Sequence, residues 1–294
     1  MKTITTKNYP RITIVTPSFN QANYLPETIE SILNQNYPNL EYIIIDGGST
    51  DGTVDIIKKY ESHLSYWVSE RDKGQSDAIM KGFAKSSGEL FTWVNSDDVL
   101  FPGCLNRIAR CCQRKKDSDI ITGNVVYIDS DGKITRFIRV PPPKRFFFYR
   151  GVWYAQAPVI FFRSKLFRKV GGLNLKYHLC MDLDIWTRMM NANAQVAHVK
   201  EYMGGYRWHK QAKSVVAKDK RRYGWSKEGT EIRKLYVPSL SLFESWCWRR
   251  VYKVYQVFNL NYLRSYLSCK PVKRMYWKDA VNELYPDNSE SQTY

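Results

Sequence analysis

The sequence predicts an α/β fold: a mostly parallel β-sheet flanked by helices, with a helical, basic and aromatic C-terminal extension. Three observations carry this expectation. Strand-like and helix-like segments alternate over the first hundred residues, as they do when a helix returns each strand to the next. "LEYIIID" (residues 40–46) is an unbroken apolar run, the pattern of a strand covered on both faces. Near residue 212 the composition turns basic and aromatic.

The elements follow in order. "RITIVTP" is a β-branched strand stopped by Pro17. In "NYLPETIESILNQN", Leu25, Ile29, Ile32 and Leu33 recur at helical spacing, and Pro26 suits a first turn. "LEYIIID" is the second strand and "GGSTDG" is turn chemistry, after which Thr53 is expected to cap a helix carrying Val54, Ile56 and Ile57. "LSYWVSE", "QSDAIMKGFAKS" and "ELFTWVN" read as strand, helix and strand. The pattern then changes. "DIITGNVVYIDSDGKITRFIRV" reads as a hairpin turning at Asp131-Gly132, "PPPKRFFFYRGVWY" as an aromatic loop, "APVIFFR" and "AQVAHV" as strands, and "MDLDIWTRMM" as a short helix. The expected organisation is a unit over 1–212, with halves at 11–101 and 102–212, and an extension over 213–294.

The chain has 294 residues and a formal charge of +17, which favours acidic partners: nucleic acid, phosphorylated substrates or an anionic membrane surface. No nucleic-acid-binding motif is present, and no nucleic-acid partner is expected. There is no signal-peptide pattern and no apolar run of about 18 residues. The six cysteines have no metal spacing and suit reduced thiols. The expected location is the cytoplasm.

In parallel sheets ligands collect at the carboxyl ends of strands. Those ends are Thr16-Pro17, Asp46, Glu70 to Asp72 and Asn95 to Asp98. Asp97 and Asp98 are adjacent like charges, suited to a hard divalent cation such as Mg²⁺ or Mn²⁺, although Asn, Ser and Asp also build turns and caps. Asp46 before Gly47-Gly48 can accept from a nucleobase or ribose, or simply close a tight turn. A dinucleotide fingerprint would need G-x-G-x-x-G after the first strand; "TPSFNQANY" has no glycine, and a Walker A loop is also missing.

Taken together, "ITIVTPSFNQANYLPETIESILNQNYPNLEYIIIDGGSTDGTVDII", "SERDKGQSDAIMKG" and "FTWVNSDDVLFPG" resemble the nucleotide-binding half of family 2 glycosyltransferases of the GT-A fold, with a weaker likeness continuing through "MDLDIWTRM" and "YRWHKQAKS". The resemblance implies a Rossmann-like sheet and assigns roles. Thr16 and Pro17 would pack on the nucleoside, Asp46 would face base or ribose, and Asp72, Gly74 and Asp77 would border that pocket. Asn95, Ser96 and Asp97 would be the D-x-D motif, with Asp97 the direct metal ligand. Asn95 departs from the pattern, and Asp98 could supply the missing charge. Asp182 would be the catalytic base, although it could also cap its helix beside Asp184. Arg207 and His209 match a segment that closes over the diphosphate, His209 as a further metal ligand.

The implied activity is inverting, Mn²⁺- or Mg²⁺-dependent transfer of a sugar from a nucleotide-sugar donor, a UDP-sugar, to a glycan or lipid-linked acceptor in surface polysaccharide assembly. Processive relatives carry Q-x-x-R-W; Gly204 stands at the Gln position here, so addition of one or few sugars is expected. The loop 144–156 could contribute to the acceptor site or pack as core. The extension over 240–294 mixes Trp and Tyr with Arg and Lys, as a helix on the inner face of an anionic membrane would, or one packed on the catalytic unit. A nucleotidyltransferase and an inactive sugar-nucleotide-binding module are the alternatives.

Overall fold

A computed structural model describes residues 9–139, 158–213, 222–236, 241–258 and 261–284. The aromatic loop at 144–156 lies outside these residues.

The first half alternates as expected: β1 (Ile12–Ser18), α1 (Leu25–Leu33), β2 (Leu40–Asp46), α2 (Thr53–Lys59), β3 (Tyr66–Ser69), α3 (Gln75–Ala84) and β4 (Leu90–Trp93). The four strands run parallel in the order β3-β2-β1-β4. β1 and most of β2 are buried on both faces, which is why neither shows a polar alternation. One layer of helices covers Ile12, Ile14, Tyr42 and Ile44; the other covers Val15, Ile43 and Ile45.

The second half comprises β5 (Val99–Leu100), α4 (Cys104–Arg114), the hairpin strands β6 (Ile120–Ile128) and β7 (Ile134–Ile138), β8 (Ile160–Arg163), α5 (Ser164–Lys169), α6 (Met181–Asn191) and β9 (Val196–Arg207). β8 joins β4 antiparallel and extends the sheet to β6, β9 and β5. β9 runs parallel to β6 and antiparallel to β5, and so carries the chain from the sheet interior back beside the acidic turn after β4.

Four helices follow: α7 (Arg222–Tyr236), α8 (Leu242–Phe258), α9 (Asn261–Val272) and α10 (Trp277–Leu284). Ile232 of α7 is buried in the same core as Trp186 and Met189 of α6. Val272, Trp277, Ala280 and Val281 pack with Val99, Phe101 and Phe137, and the Trp277 ring stacks on Phe101 at 5.6 Å. All six cysteines are free thiols.

Thr53 does not cap α2. Gly52 precedes the helix with φ +93°, and Asp51 does the capping, accepting from the Thr53 N–H at 3.1 Å and from its hydroxyl at 2.5 Å. The Thr53 hydroxyl instead accepts from the Gln21 N–H, tying the loop after β1 to the loop after β2.

Gly82 is where α3 meets the sheet. A Cβ there would lie 2.5 and 2.9 Å from the two Val15 methyls. Both groups belong to rigid, buried elements, so neither can yield cheaply. Gly82→Ala is expected to destabilise the fold by about 1–3 kcal/mol, read from urea unfolding.

Candidate active site

The site forms where β1, β2, β3 and β4 end. On one side three loops converge. The Asp46 carboxylate is fully buried and accepts four hydrogen bonds from its own neighbourhood: the N–H groups of Gly48 and Ser49 at 3.1 and 2.9 Å, and the hydroxyls of Ser49 and Ser69 at 2.5 and 2.7 Å. The acid expected to face base or ribose is engaged here in shaping the loop that follows β2. Asp72 is half-buried, accepts from the Gly74 N–H at 2.7 Å, and lies 2.8 Å from where a Gly47 Cβ would sit. Only a glycine permits that approach. Phe19, which is exposed, borders the same spot. Asp77 accepts from the Lys73 N–H at 3.0 Å and so fixes the turn into α3. Thr16 and Pro17 are buried beneath, the Thr16 hydroxyl 3.2 Å from the Tyr42 hydroxyl. Beside them Ser18 Oγ is buried without a hydrogen-bond partner.

The acidic turn divides its two charges. Asp97 is half-buried, and its Oδ2 lies 3.0 Å from His209 Nε2. Asp98 is buried: Oδ1 accepts from the Arg207 N–H at 2.9 Å and Oδ2 from the Asn95 amide at 2.9 Å. Burial, with Asp97 beside it, holds the Asp98 carboxyl well above the usual range. Asp98, expected to supply the missing charge, is thus buried with one hydrogen bond on each of its oxygens.

Asn95 belongs to the same network. Its Oδ1 accepts from Gln75 Nε2 at 2.6 Å while its amide donates to Asp98. An aspartate there would bring two carboxylates within hydrogen-bond distance with no donor between them. Ser96, between the two, is buried.

Arg207 lies inward of the crevice and is buried. Its Nε donates to the Asp97 carbonyl at 2.8 Å and Nη1 to the carbonyls of Asp129 and Ser130 at 3.2 and 3.3 Å; Nη2 pairs with Glu27. The guanidinium also packs on the Tyr24 ring, 5.0 Å from its centroid, and the other side of this aromatic cluster meets His209 at 4.6 Å. Glu27 in turn accepts from the Tyr276 hydroxyl and the Trp277 indole N–H. In this conformation the guanidinium expected over the diphosphate supports the acidic turn from behind.

Asp182 stands in the first turn of α6, half-buried, accepting from the Leu183 N–H at 2.7 Å. Burial raises its pKa to about 6, against the pull of the Leu183 N–H and the Lys213 ammonium. Asp184 is fully buried and paired with Arg188, which also holds the carbonyls of Val170 and Gly172. The two acids of "MDLD" thus have different environments. The turn before α6 is held by Glu228 of α7, whose carboxylate accepts from the N–H groups of His178, Leu179 and Cys180 at 3.2, 2.9 and 2.9 Å.

Lys213 joins the two sides. Its Nζ donates to Gln75 Oε1 at 3.0 Å, and its pKa is lowered by burial but supported by Glu228 and Asp182. Lys213, Gln75 and Glu228 were not singled out from the sequence. Lys213 shares the "HKQAKS" segment with His209, so that signal was available; Glu228 lies about 50 residues from the turn it holds, and no local pattern marks it.

Among the described residues no cluster of three metal-ligating side chains occurs. Asp97 and His209 are hydrogen-bonded to each other at 3.0 Å, and by their chemistry an oxygen and a nitrogen donor side by side would be the residues to hold Mg²⁺ or Mn²⁺. The remaining positions would fall to oxygens of ligand and water.

The fold is shared with solved structures. Residues 1–349 of Staphylococcus aureus TarS in complex with UDP-GlcNAc superpose with TM-score 0.60 at 17% identity, covering 77% of this chain and 65% of that one. The mannosyltransferase PcManGT of Pyrobaculum calidifontis, in complex with GDP-Man and Mn²⁺, gives TM-score 0.53 at 14% identity over 95% and 88%. These likenesses define a GT-A architecture. Residues 13–171 match the pattern of Glycosyl transferase family 2, more than half of the chain, and the chain belongs to that family. It is 29% identical over 191 residues to a PGL/p-HBAD biosynthesis glycosyltransferase of Mycobacterium bovis, covering 64% of this chain and 72% of the relative. An uncharacterized glycosyltransferase of Rickettsia felis is 28% identical over 192 residues, but the match spans 62% of this chain and only 31% of that protein.

Two outcomes test the site's construction. Arg207→Lys leaves buried carbonyls and Glu27 without their partners, and is expected to lower stability by about 3 kcal/mol or more in urea unfolding. Asp182→Asn removes a carboxylate whose charge burial disfavours. Because its folded pKa lies above the unfolded value, wild-type stability falls as pH rises from about 4 to about 6. The substitution should flatten that part of the curve of melting temperature against pH.

Proposed function

We propose that the chain moves a sugar from a nucleotide-sugar, a UDP-sugar, to a hydroxyl of a glycan or lipid-linked acceptor, with inversion at the anomeric carbon and a divalent ion bound at Asp97 and His209. The observation that supports this best is the contact chain from Asn95 through Gln75 to Lys213, whose ammonium is felt by Asp182. It supports reading Asp182 as a general base and Asp97 as a metal ligand that serve one bound donor. The UDP assignment is supported by the UDP-GlcNAc bound to TarS, and a biosynthetic transfer role by the PGL/p-HBAD biosynthesis glycosyltransferase of Mycobacterium bovis.

In this mechanism the three loops around Asp46, Asp72 and Phe19 hold the nucleoside. The ion, when bound, would offset negative charge on the departing diphosphate. Lys213 adds a cation at the same mouth. Asp182 accepts the proton of the acceptor hydroxyl as that oxygen attacks, and a pKa near 6 suits a base working near neutrality. Glu228 holds the backbone before Asp182, so α7 fixes the direction from which the base acts. Addition of one or few sugars fits Gly204: the Val99 carbonyl lies 2.6 Å from where its Cβ would be, so the glutamine of the processive motif has no room.

Two measurements test the proposal. Melting temperature should rise with UDP, and rise further with UDP plus Mn²⁺; the Mn²⁺ increment should vanish in Asp97→Asn. No response to any nucleotide would overturn the donor assignment. UDP-sugar turnover should increase with pH to a plateau, with a midpoint near 6. Asp182→Asn should lower kcat by about a hundredfold or more while leaving UDP binding intact.

A further inference from the structure

Eight of the twelve large apolar side chains exposed among the described residues fall between 243 and 267: Phe243, Trp246, Val251, Val254, Val257 and Phe258 on α8, and Leu263 and Leu267 on α9. Phe243 is 72% and Phe258 82% exposed. At 100° per residue the six on α8 fall within an arc of about 140°. The opposite side of α8 carries Tyr252, which is buried, with Trp248 and Tyr255 of the same helix packed against it. The helix therefore has two apolar sides, and one has no protein cover among the described residues.

Charge follows the exposed side. Arg250 lies within the arc, 5.0 Å from the Trp246 ring centroid, and Arg249 and Lys253 run along one border. Arg264 is exposed beside Leu263. From 242 to 272 there are five cations and one acid, Glu244. We propose that α8 and α9 form a lipid-docking face whose partner is the surface of an anionic bilayer. Apolar rings would enter the headgroup region while the guanidinium and ammonium groups meet lipid phosphates. A second copy of the chain fits less well, because self-association would set the same cations against one another. No helix among the described residues is long and apolar enough to cross a membrane, so attachment through this face is peripheral. The base of the appendage is fixed, since α9 leads directly into Tyr276 and Trp277, which hold Glu27.

The test is co-sedimentation of the full chain with vesicles of phosphatidylglycerol and phosphatidylcholine, against vesicles of phosphatidylcholine alone. This readout is independent of any sugar transfer, so its failure leaves the proposed activity standing. The expected result is binding to the anionic vesicles that weakens with salt. It should drop roughly tenfold or more in Phe243→Glu/Trp246→Glu/Phe258→Glu. Arg250→Gln/Lys253→Gln, which keeps the apolar arc, should bind more weakly and with a shallower salt dependence. Unchanged melting temperature and unchanged nucleotide response would show that the variants fold. Equal recovery of wild type and both variants overturns the proposal. So does a wild type that ignores vesicles and is a dimer in solution, with a monomeric triple variant, because the face then belongs to a second copy.

Discussion

The buried guanidinium of Arg207 is the interaction on which the acidic turn rests. A cation taken out of water is costly unless every donor finds a partner. Here the fork spans three segments: the Asp97 carbonyl after β4, the Asp129 and Ser130 carbonyls between β6 and β7, and the start of α1, with Glu27 and the face of Tyr24. Its own N–H holds Asp98. The turn that presents Asp97 is thus braced by the strand β9 that returns beside it. Lysine has too few donors, in too loose a geometry, to do the same.

Placing one aspartate toward the crevice and its neighbour beneath solves an electrostatic problem. Two adjacent carboxylates repel when both are ionised on one surface. Asp98 turns down, is enclosed, and takes hydrogen bonds from Asn95 and Arg207, while Asp97 keeps a solvent-facing oxygen beside His209. The same division separates Asp182 from Asp184. Asp184 is locked to Arg188, whereas Asp182 retains the raised pKa of a group without a salt-bridge partner on its own helix. In both pairs the environment assigns different work to identical side chains.

Much of the sheet could be read from the sequence because burial on both faces leaves strands such as "IVT" and "YIIID" with no polar alternation, and because "ETIESIL" carries a helical period. The hairpin at Asp131-Gly132 was equally local. What could not be read was direction. Asp46 at a strand end suggested a ligand contact, but nothing in the letters says that Ser49 and Ser69 would satisfy it first. Arg207 beside His209 suggested a clamp, but the guanidinium faces Glu27, 180 positions away. Thr53 and Asp51 compete for one cap, and the side chain two residues earlier wins because it reaches both Thr53 groups. The helix that positions Asp182 enters through Glu228, a pairing across about 50 residues with no periodic trace.

Tyr276 and Trp277 contact Glu27 across 249 and 250 positions of chain. Synthesis runs from one end, at roughly 5–20 residues per second. A nascent polypeptide exposed only as far as β9 would own every described strand of the sheet, yet Glu27 would still lack two of its donors. The acidic turn of such a chain is braced on one side only until Tyr276 and Trp277 emerge. The bracing of the acidic turn is therefore completed well after its strands, and the site is assembled late by the chain's own topology.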